Sequence, residues 1–210
     1  MSARSPAVAP TTGPWRSGPR LRPAARCRSV SCSGCHAVGD VATSVAPLIR
    51  DVPDFPHVGV QFKDLTPVFA DPTAFRVTVD ALAATAAPPD VVVGVEARGF
   101  LLGAAVAYAR GAGVVGVRKP GKLPVVADRE AYVLEYGSTV LELPDGALRP
   151  GQQVLVIDDV LATGGTVAAT CALVERAGAT VGGIAVVLEI TALGARGRLA
   201  GRDVRALLQA

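Results

Sequence analysis

The chain is predicted to fold as an α/β domain: a parallel sheet with helices on both faces. Three observations lead there. Short, wholly apolar runs recur at residues 91–95, 114–117, 154–157 and 184–189, the last ending on Glu189. Such runs suit strands covered on both faces rather than half-exposed ones. Between them lie stretches with helix-compatible spacing, and strand–helix alternation of this kind gives a parallel sheet. Half of the 210 residues are apolar, enough for one sizeable core plus a tail.

The tail, residues 1–45, is rich in Pro, Ser, Arg and Gly and has no periodicity, so it is expected to be disordered, with the folded domain at 46–210. Residues 1–39 hold six arginines and no acid, while the rest carries 15 basic and 18 acidic side chains. The folded part is therefore slightly acidic, and neither a nucleic-acid surface nor a membrane partner is expected. No apolar run approaches the ~18 residues of a membrane span, and no secretory signal is visible. The arginine- and serine-rich tail faintly resembles an organellar transit peptide, but Pro6, Pro10, Pro14, Pro19 and Pro23 forbid an amphipathic helix. Arginine outnumbers lysine 18 to 3 and alanine, glycine and valine abound, as in GC-rich coding sequence. A dispensable or mis-started extension and a cytoplasmic setting are the expectations. Cys32-Ser33-Gly34-Cys35-His36 formally matches a haem attachment site, but that chemistry needs export. A zinc knuckle adding Cys27 is crowded into ten residues. Cys171 reads as a small core residue in a helix.

Along the folded part, residues 48–56 are a lead-in broken by Pro53 and Pro56, and residues 59–64 a short extended loop. Asp71-Pro72 opens a helix to about residue 87, with Asp71 as cap and Pro72 in the first turn. After the strand at 91–95 comes a helix over 98–110, then the strand at 114–117. Residues 121–137 read as a long polar loop, with weak alternation at Tyr132-Val133-Leu134 extending toward 139–143. The strand at 154–157 leads into Asp158-Asp159, a tight turn at Thr163-Gly164-Gly165-Thr166 and a helix over 167–177. A strand at 184–189 and a helix at 193–200 follow.

The segment 154–166 carries most of the chemistry. Small turn residues let a ligand approach the main chain, and a helix N-terminus presents backbone N–H groups that suit phosphate. Carboxylates beside a phosphate cradle fit a sugar: Asp158 and Asp159 accept from ribose hydroxyls while amides of Ala162, Thr163, Gly164, Gly165 and Thr166 take the phosphate. The plainer reading is a turn capped by Thr163 beside two exposed acids. Neither G-x-x-x-x-G-K-[ST] nor a strand-linked G-x-G-x-x-G occurs. In open parallel sheets ligands bind beyond the carboxyl ends of strands, where Glu96, Arg118 and Asp158 all emerge. Arg98-Gly99 offers a place for pyrophosphate to reach the main chain. Residues 118–124 concentrate Arg118, Lys119 and Lys122, either as an anion site or as a solvated basic loop. Phe62 reads equally as a ring stacked on a planar heterocycle or as plain core.

The acid-acid-x-x-x-Thr-Gly-Gly-Thr pattern resembles the phosphoribosyl pyrophosphate motif of type I phosphoribosyltransferases. Phe55-Pro56, Gly59-Val60-Gln61-Phe62-Lys63-Asp64, Glu96-Ala97-Arg98-Gly99-Phe100, Arg118-Lys119-Pro120-Gly121-Lys122-Leu123-Pro124 and Leu134-Glu135-Tyr136-Gly137 precede it in order. Together they resemble the adenine branch of that family, from about residue 50 to 208. Val58 and Gln61 depart from it, where proline and an apolar residue are usual. The resemblance implies transfer of a phosphoribosyl group from phosphoribosyl pyrophosphate to adenine, with Mg²⁺ as cofactor, held mainly through substrate oxygens, and a homodimer. It implies a small N-terminal hood over the base and a long flexible catalytic loop. Arg98, Arg118, Lys119 and Lys122 would surround the pyrophosphate, some of them from the neighbouring subunit, and Gln61, Phe62 and Lys63 would meet the base. Glu135 would handle the base proton, Tyr136 would close the lid, and Arg98, Asp158 and Asp159 complete the catalytic group. Other bases on the same scaffold, and a regulator that senses phosphoribosyl pyrophosphate without catalysis, are the alternatives.

Overall fold

The computed structural model describes residues 40–134 and 137–210. The expectations for residues 1–39, the tail cysteines among them, and for Glu135 and Tyr136 lie outside the described residues. The Asp40 carboxylate caps α1 (Val41–Ser44) by accepting the Ala42 N–H at 3.1 Å, and Val45 behind it is completely buried. Residues 40–45, expected to belong to the tail, thus include one fully buried side chain. A 3-10 turn (Ala46–Leu48) leads to β1 (Arg50–Pro53), which pairs antiparallel with β2 (Gln61–Asp64). The extended loop expected at 59–64 is therefore half of a two-stranded ribbon.

A short helix that the sequence pattern did not signal, α2 (Thr66–Ala70), precedes α3 (Pro72–Ala83). Asp71 caps α3 as expected, accepting from the N–H groups of Thr73 and Ala74 at 2.9 and 2.8 Å. The helix ends short of residue 87 because Thr85 turns back, its N–H and hydroxyl both donating to the Leu82 carbonyl, ahead of Pro88-Pro89. The next elements match expectation closely: β3 (Val91–Val95), α4 (Arg98–Arg110) and β4 (Gly113–Val117). The segment expected as a polar loop is instead an antiparallel hairpin of β5 (Val126–Leu134) and β6 (Gly137–Pro144). Its β6 strand buries Leu141 and Leu143 against the main core. β7 (Gln153–Leu161) runs on through both aspartates, and α5 (Gly165–Arg176) and β8 (Thr180–Glu189) follow. The single helix expected at 193–200 is split by Gly194 into a 3-10 turn (Thr191–Leu193) and α6 (Ala195–Arg198). A last strand, β9 (Val204–Gln209), was not expected; its Val204-Arg205-Ala206 start looks half-polar in sequence.

The sheet is all parallel, in the order β4-β3-β7-β8-β9. Alternate residues feed opposite faces, which is why the strands are apolar throughout. Val91, Val93, Val95, Val154, Val156, Ile184 and Val186 join one core with α5 and β6. Val92, Leu155, Ile157, Ala185 and Val187 join the other with α3 and α4. Each fully buried Val or Leu stabilises by ~1.5–3 kcal/mol relative to exposure, so the strand centres form a rigid platform. From β3 the chain winds outward to β4, and from β7 it winds the other way to β8 and β9. The crevice between β3 and β7, past their carboxyl ends, is the topological switch point where such sheets bind ligands.

Candidate active site

Two helices begin at that crevice, and neither has a side-chain cap. α4 starts after Ala97 and α5 after Gly164, and no side chain accepts from their first N–H groups. By contrast, Asp40 and Asp71 cap α1 and α3. Uncapped donors at a helix start leave the macrodipole and the amides available to an anion. Gly164 occupies the α5 cap position at φ 79°, and a Cβ there would stand 3.1 Å from the Ala195 carbonyl oxygen. Only glycine takes this turn at low cost. The Thr163 cap of the plainer sequence reading is therefore not formed.

Asp158 and Asp159 are both buried, at 9% and 6% exposure, although they end a strand pointing at the crevice. The Asp158 Oδ1 atom accepts the Asp159 N–H at 2.9 Å. Burial pushes the Asp158 carboxyl well above the usual range, and the neighbouring Asp159 charge adds to this; Arg98 opposes it. Asp159 Oδ2 stands 2.7 Å from Arg98 Nε, yet it has no aligned hydrogen-bond donor among the described residues. This oxygen is paired in charge but not in a hydrogen bond, so it can still accept from a ligand donor, and a sugar hydroxyl is one.

The two acids form the wall between two adjoining cavities. The larger, about 500 Å³, is lined by the Ala162, Thr163, Gly164 and Thr166 turn, by Gln61, Phe62 and Lys63, and by the apolar Val160, Ile190 and Leu193. The smaller, about 310 Å³, is lined by Glu96, Ala97, Lys119, Tyr132 and Thr139. Arg98, Asp158, Asp159 and Thr166 line both. Gly165 is buried at the start of α5 behind this turn. The Phe62 ring is edge-on to Phe55 at 5.0 Å and has the Arg98 guanidinium 5.1 Å above it. It forms part of the wall of the larger cavity.

Other expected residues stand differently. The side-chain position of Gly99 is closed: a Cβ there would meet the Ile157 carbonyl oxygen at 2.9 Å and Asp158 Oδ1 at 3.1 Å. Its lack of a side chain lets α4 press against β7 beside the acid. The Lys63 ammonium pairs with Asp51 across the β1–β2 ribbon, so its carbonyl, bonded to Arg98 Nη1 at 3.4 Å, faces the site. Arg118 lines neither cavity, its Nε on Glu96 Oε2 at 3.0 Å and its guanidinium 5.3 Å from the Phe100 ring. Burial raises the Glu96 carboxyl, but the Lys119 N–H at 2.8 Å and Arg118 outweigh it and hold the group below its ordinary value. Lys119 reaches the smaller cavity; Lys122 is exposed and lines neither.

Two cavity residues carried no signal in the sequence. Tyr132 had shown only as part of an alternation, yet the β5 strand carries it to the smaller cavity, which Thr166 also lines. Burial raises its phenol above the ordinary value, the Thr166 contact opposes this, and the Asp158 charge adds to it. Leu193, in the turn after β8, closes the larger cavity. Among the described residues no three His, Cys, Asp or Glu side chains converge as a metal cage. The donor set is two carboxylates with one open oxygen, which suits a hard cation that brings most of its ligands with it.

This geometry has close relatives. The phosphoribosyl transferase domain family matches residues 80–202. The adenine phosphoribosyltransferase of Clavibacter michiganensis is 59% identical over 164 residues, covering 78% of this chain and 94% of that protein. The crystal structure of the Rhodothermus marinus adenine phosphoribosyltransferase has a TM-score of 0.77 at 46% identity, covering 81% of this chain and 98% of that one. The Saccharomyces cerevisiae enzyme, solved with an imino-altritol bisphosphate and adenine, has a TM-score of 0.75 at 36% identity, covering 80% and 98%.

Proposed function

The chain belongs to the adenine phosphoribosyltransferases, and from that and from its site we infer that it transfers the 5-phosphoribosyl group of phosphoribosyl pyrophosphate to adenine, giving AMP and pyrophosphate. The observation that carries this reading is the pair of buried acids between two cavities, one beside a phosphate turn and an aromatic wall, the other beside Lys119. A ribose bridging the wall has its 5′-phosphate and base on one side and its leaving group on the other.

The roles follow from position. Backbone amides of Ala162, Thr163, Gly164, Gly165 and Thr166 hold the 5′-phosphate at the α5 N-terminus. Asp158 and Asp159 accept from the ribose hydroxyls and stabilise the positive charge that builds on the sugar as the C1′–oxygen bond breaks. Phe62 and the apolar wall hold the purine, with main-chain groups of Gln61 and Lys63 at its edge. Arg98 orients Asp159 and braces Phe62 in the free protein and, lining both cavities, is placed to meet the pyrophosphate with Lys119. Arg118 and Lys122 line neither of this chain's cavities, and we assign them to a pyrophosphate site completed across a homodimer. Leu101 and Tyr108 on α4 and Val114 on the edge strand β4 are large apolar side chains left exposed, as a dimer contact would leave them in one subunit. Glu135 as the group that handles the base proton and Tyr136 as lid complete the assignment. Mg²⁺ entering with the substrate would sit beside Asp158 and Asp159 and would neutralise charge on the leaving group. Cys171 is a free, buried thiol with its pKa pushed up to about 11 by burial, and an unpaired cysteine fits a reducing cytoplasm. Residues 1–39 we regard as dispensable for this reaction.

A pyrophosphate-release assay tests the reading against adenine, hypoxanthine, guanine, xanthine and orotate. Turnover with adenine alone, lost on chelation of Mg²⁺, is expected. Preference for another base would overturn the adenine assignment, and no turnover with any base would leave the site a sensor rather than an enzyme. Sedimentation at micromolar concentration tests the dimer, with a monomer as the contrary result.

A further inference from the structure

One strongly bonded side chain has no part in the reaction as assigned. Arg176, in the last turn of α5, donates from Nε to Asp128 Oδ2 at 2.6 Å, from Nη1 to Glu130 Oε2 at 2.7 Å and from Nη2 to the Arg129 carbonyl at 3.1 Å. All three partners are on β5. Asp128 and Glu130 are two apart on a strand and so share a face, and a planar guanidinium fork matches that spacing.

The strand so gripped lies along α5. Three residues past Arg129 on β5 stands Tyr132, which lines the smaller cavity together with Asp158 and with Thr166 in the first turn of the same helix. One helix therefore carries the phosphate turn at its start and a charged clamp at its end, and β5 spans the two. Tyr132 and its strand neighbour on β6, Thr139, form the hairpin's share of the smaller cavity. On the other side the hairpin is held by the buried Glu142, which accepts from Arg129 Nε at 2.8 Å and exchanges main-chain hydrogen bonds with Arg118.

We propose that Arg176 is a positioning residue for phosphoribosyl transfer: by clamping β5 along α5 it fixes the Tyr132 hydroxyl beside Thr166 and Asp158, in the cavity that takes the pyrophosphate. The proposal rests on the function assigned above. An exposed ion pair alone contributes little, but here two carboxylates and a carbonyl share one guanidinium, and what they hold is a direction rather than a fold. Lysine, with one compact charge and no fork, would hold one carboxylate and recover only part of the effect.

Two measurements separate the clamp from the reaction. Amide hydrogen exchange of residues 127–132 needs no turnover: Arg176→Ala should speed it at least tenfold, with the β3 and β7 amides unchanged. In steady-state assays the same variant should raise the KM for phosphoribosyl pyrophosphate about tenfold and that for adenine less than twofold. Arg176→Lys should fall between it and the unmodified protein. In a Tyr132→Phe background Arg176→Ala should add less than twofold, since both act through one hydroxyl. Unchanged exchange overturns the clamp whatever the activity. Faster exchange with an unaltered substrate KM, or an equal rise in both KM values, overturns its role in positioning. An unmodified protein that turns over no base defeats the assigned function instead, while exchange still decides the clamp.

Discussion

Arg98 Nε stands 2.7 Å from Asp159 Oδ2, and the same guanidinium lies over the Phe62 ring. One side chain thus joins the buried acids to the aromatic wall of the larger cavity. The Arg98 side chain is 31% exposed and Asp159 only 8%, so the acid depends on this partner far more than the arginine does.

Arg98→Ala should therefore leave a buried carboxylate without a counter-charge. Removing one member of a fully buried pair costs about 3–5 kcal/mol; solvent reaching the arginine brings the expectation nearer roughly 1–2 kcal/mol. Activity should fall further than stability, by a hundredfold or more in kcat/KM, because base wall and ribose acids are disturbed together. Thermal melts alongside steady-state kinetics check both. A variant that melts normally and retains a tenth of the activity would show the pair to be incidental.

Asp158 gives an effect of the opposite sign. Its carboxyl titrates above the unfolded value, so its stabilising contribution is complete below about pH 3.8. That contribution is lost as pH rises through the raised folded value. Above it the ionised acid sits in the core, at a cost of ~1.4 kcal/mol for every tenfold by which burial has weakened the acid. Asp158→Asn keeps an acceptor for the Asp159 N–H and removes that cost. It should raise Tm by a few degrees at pH 8, less toward pH 4, while turnover falls by orders of magnitude. Substrate hydroxyls favour the ionised acid, so the KM for phosphoribosyl pyrophosphate in the unmodified protein should fall as pH rises through the same titration. A lower Tm for Asp158→Asn at pH 8 would falsify the account of a buried, destabilising charge.

Gly99→Ala probes the close approach of α4 to β7. The added methyl would lie 2.9 Å from a backbone oxygen and 3.1 Å from Asp158 Oδ1, neither at the end of a flexible chain. Overpacking of this kind costs about 1–3 kcal/mol, and the displaced acid should lower kcat by at least tenfold. Gly197→Ala, where nothing lies within 4 Å, is the control and should be neutral in both respects.

Truncation locates the start of the folded chain. A protein beginning at Asp40 should keep its Tm and activity. One beginning at Ala46 loses the α1 cap and Val45, and should lose about 2–4 kcal/mol, a buried Val and a cap together. Equal melting of the two would return the boundary to residue 45.

How far the sequence spoke for itself can be read from single elements. The β3 strand and α4 were legible to the residue, since a run of apolar residues and then a run of alanine and leucine between glycines have one good conformation each. The phosphate turn was legible because its small residues, two acids and following helix are all local. The β5–β6 hairpin was not. Its strands mix charged and apolar residues without a regular period, and Asp128, Arg129, Glu130 and Glu142 find their partners only once the strands pair and Arg176 is in place. The last strand, β9, was hidden for a similar reason: Val204-Arg205-Ala206 becomes a strand by pairing with β8.

Local pattern alone therefore determined a parallel α/β fold, the phosphate turn and the family resemblance, since adjacency in the chain is what makes a strand, a cap or a turn. Which acid lies buried, which arginine faces a cavity and what Tyr132 touches were decided only when distant segments came together. Burial, charge partners and hydrogen bonds across the sheet's switch point depend on distances that the order of residues does not contain.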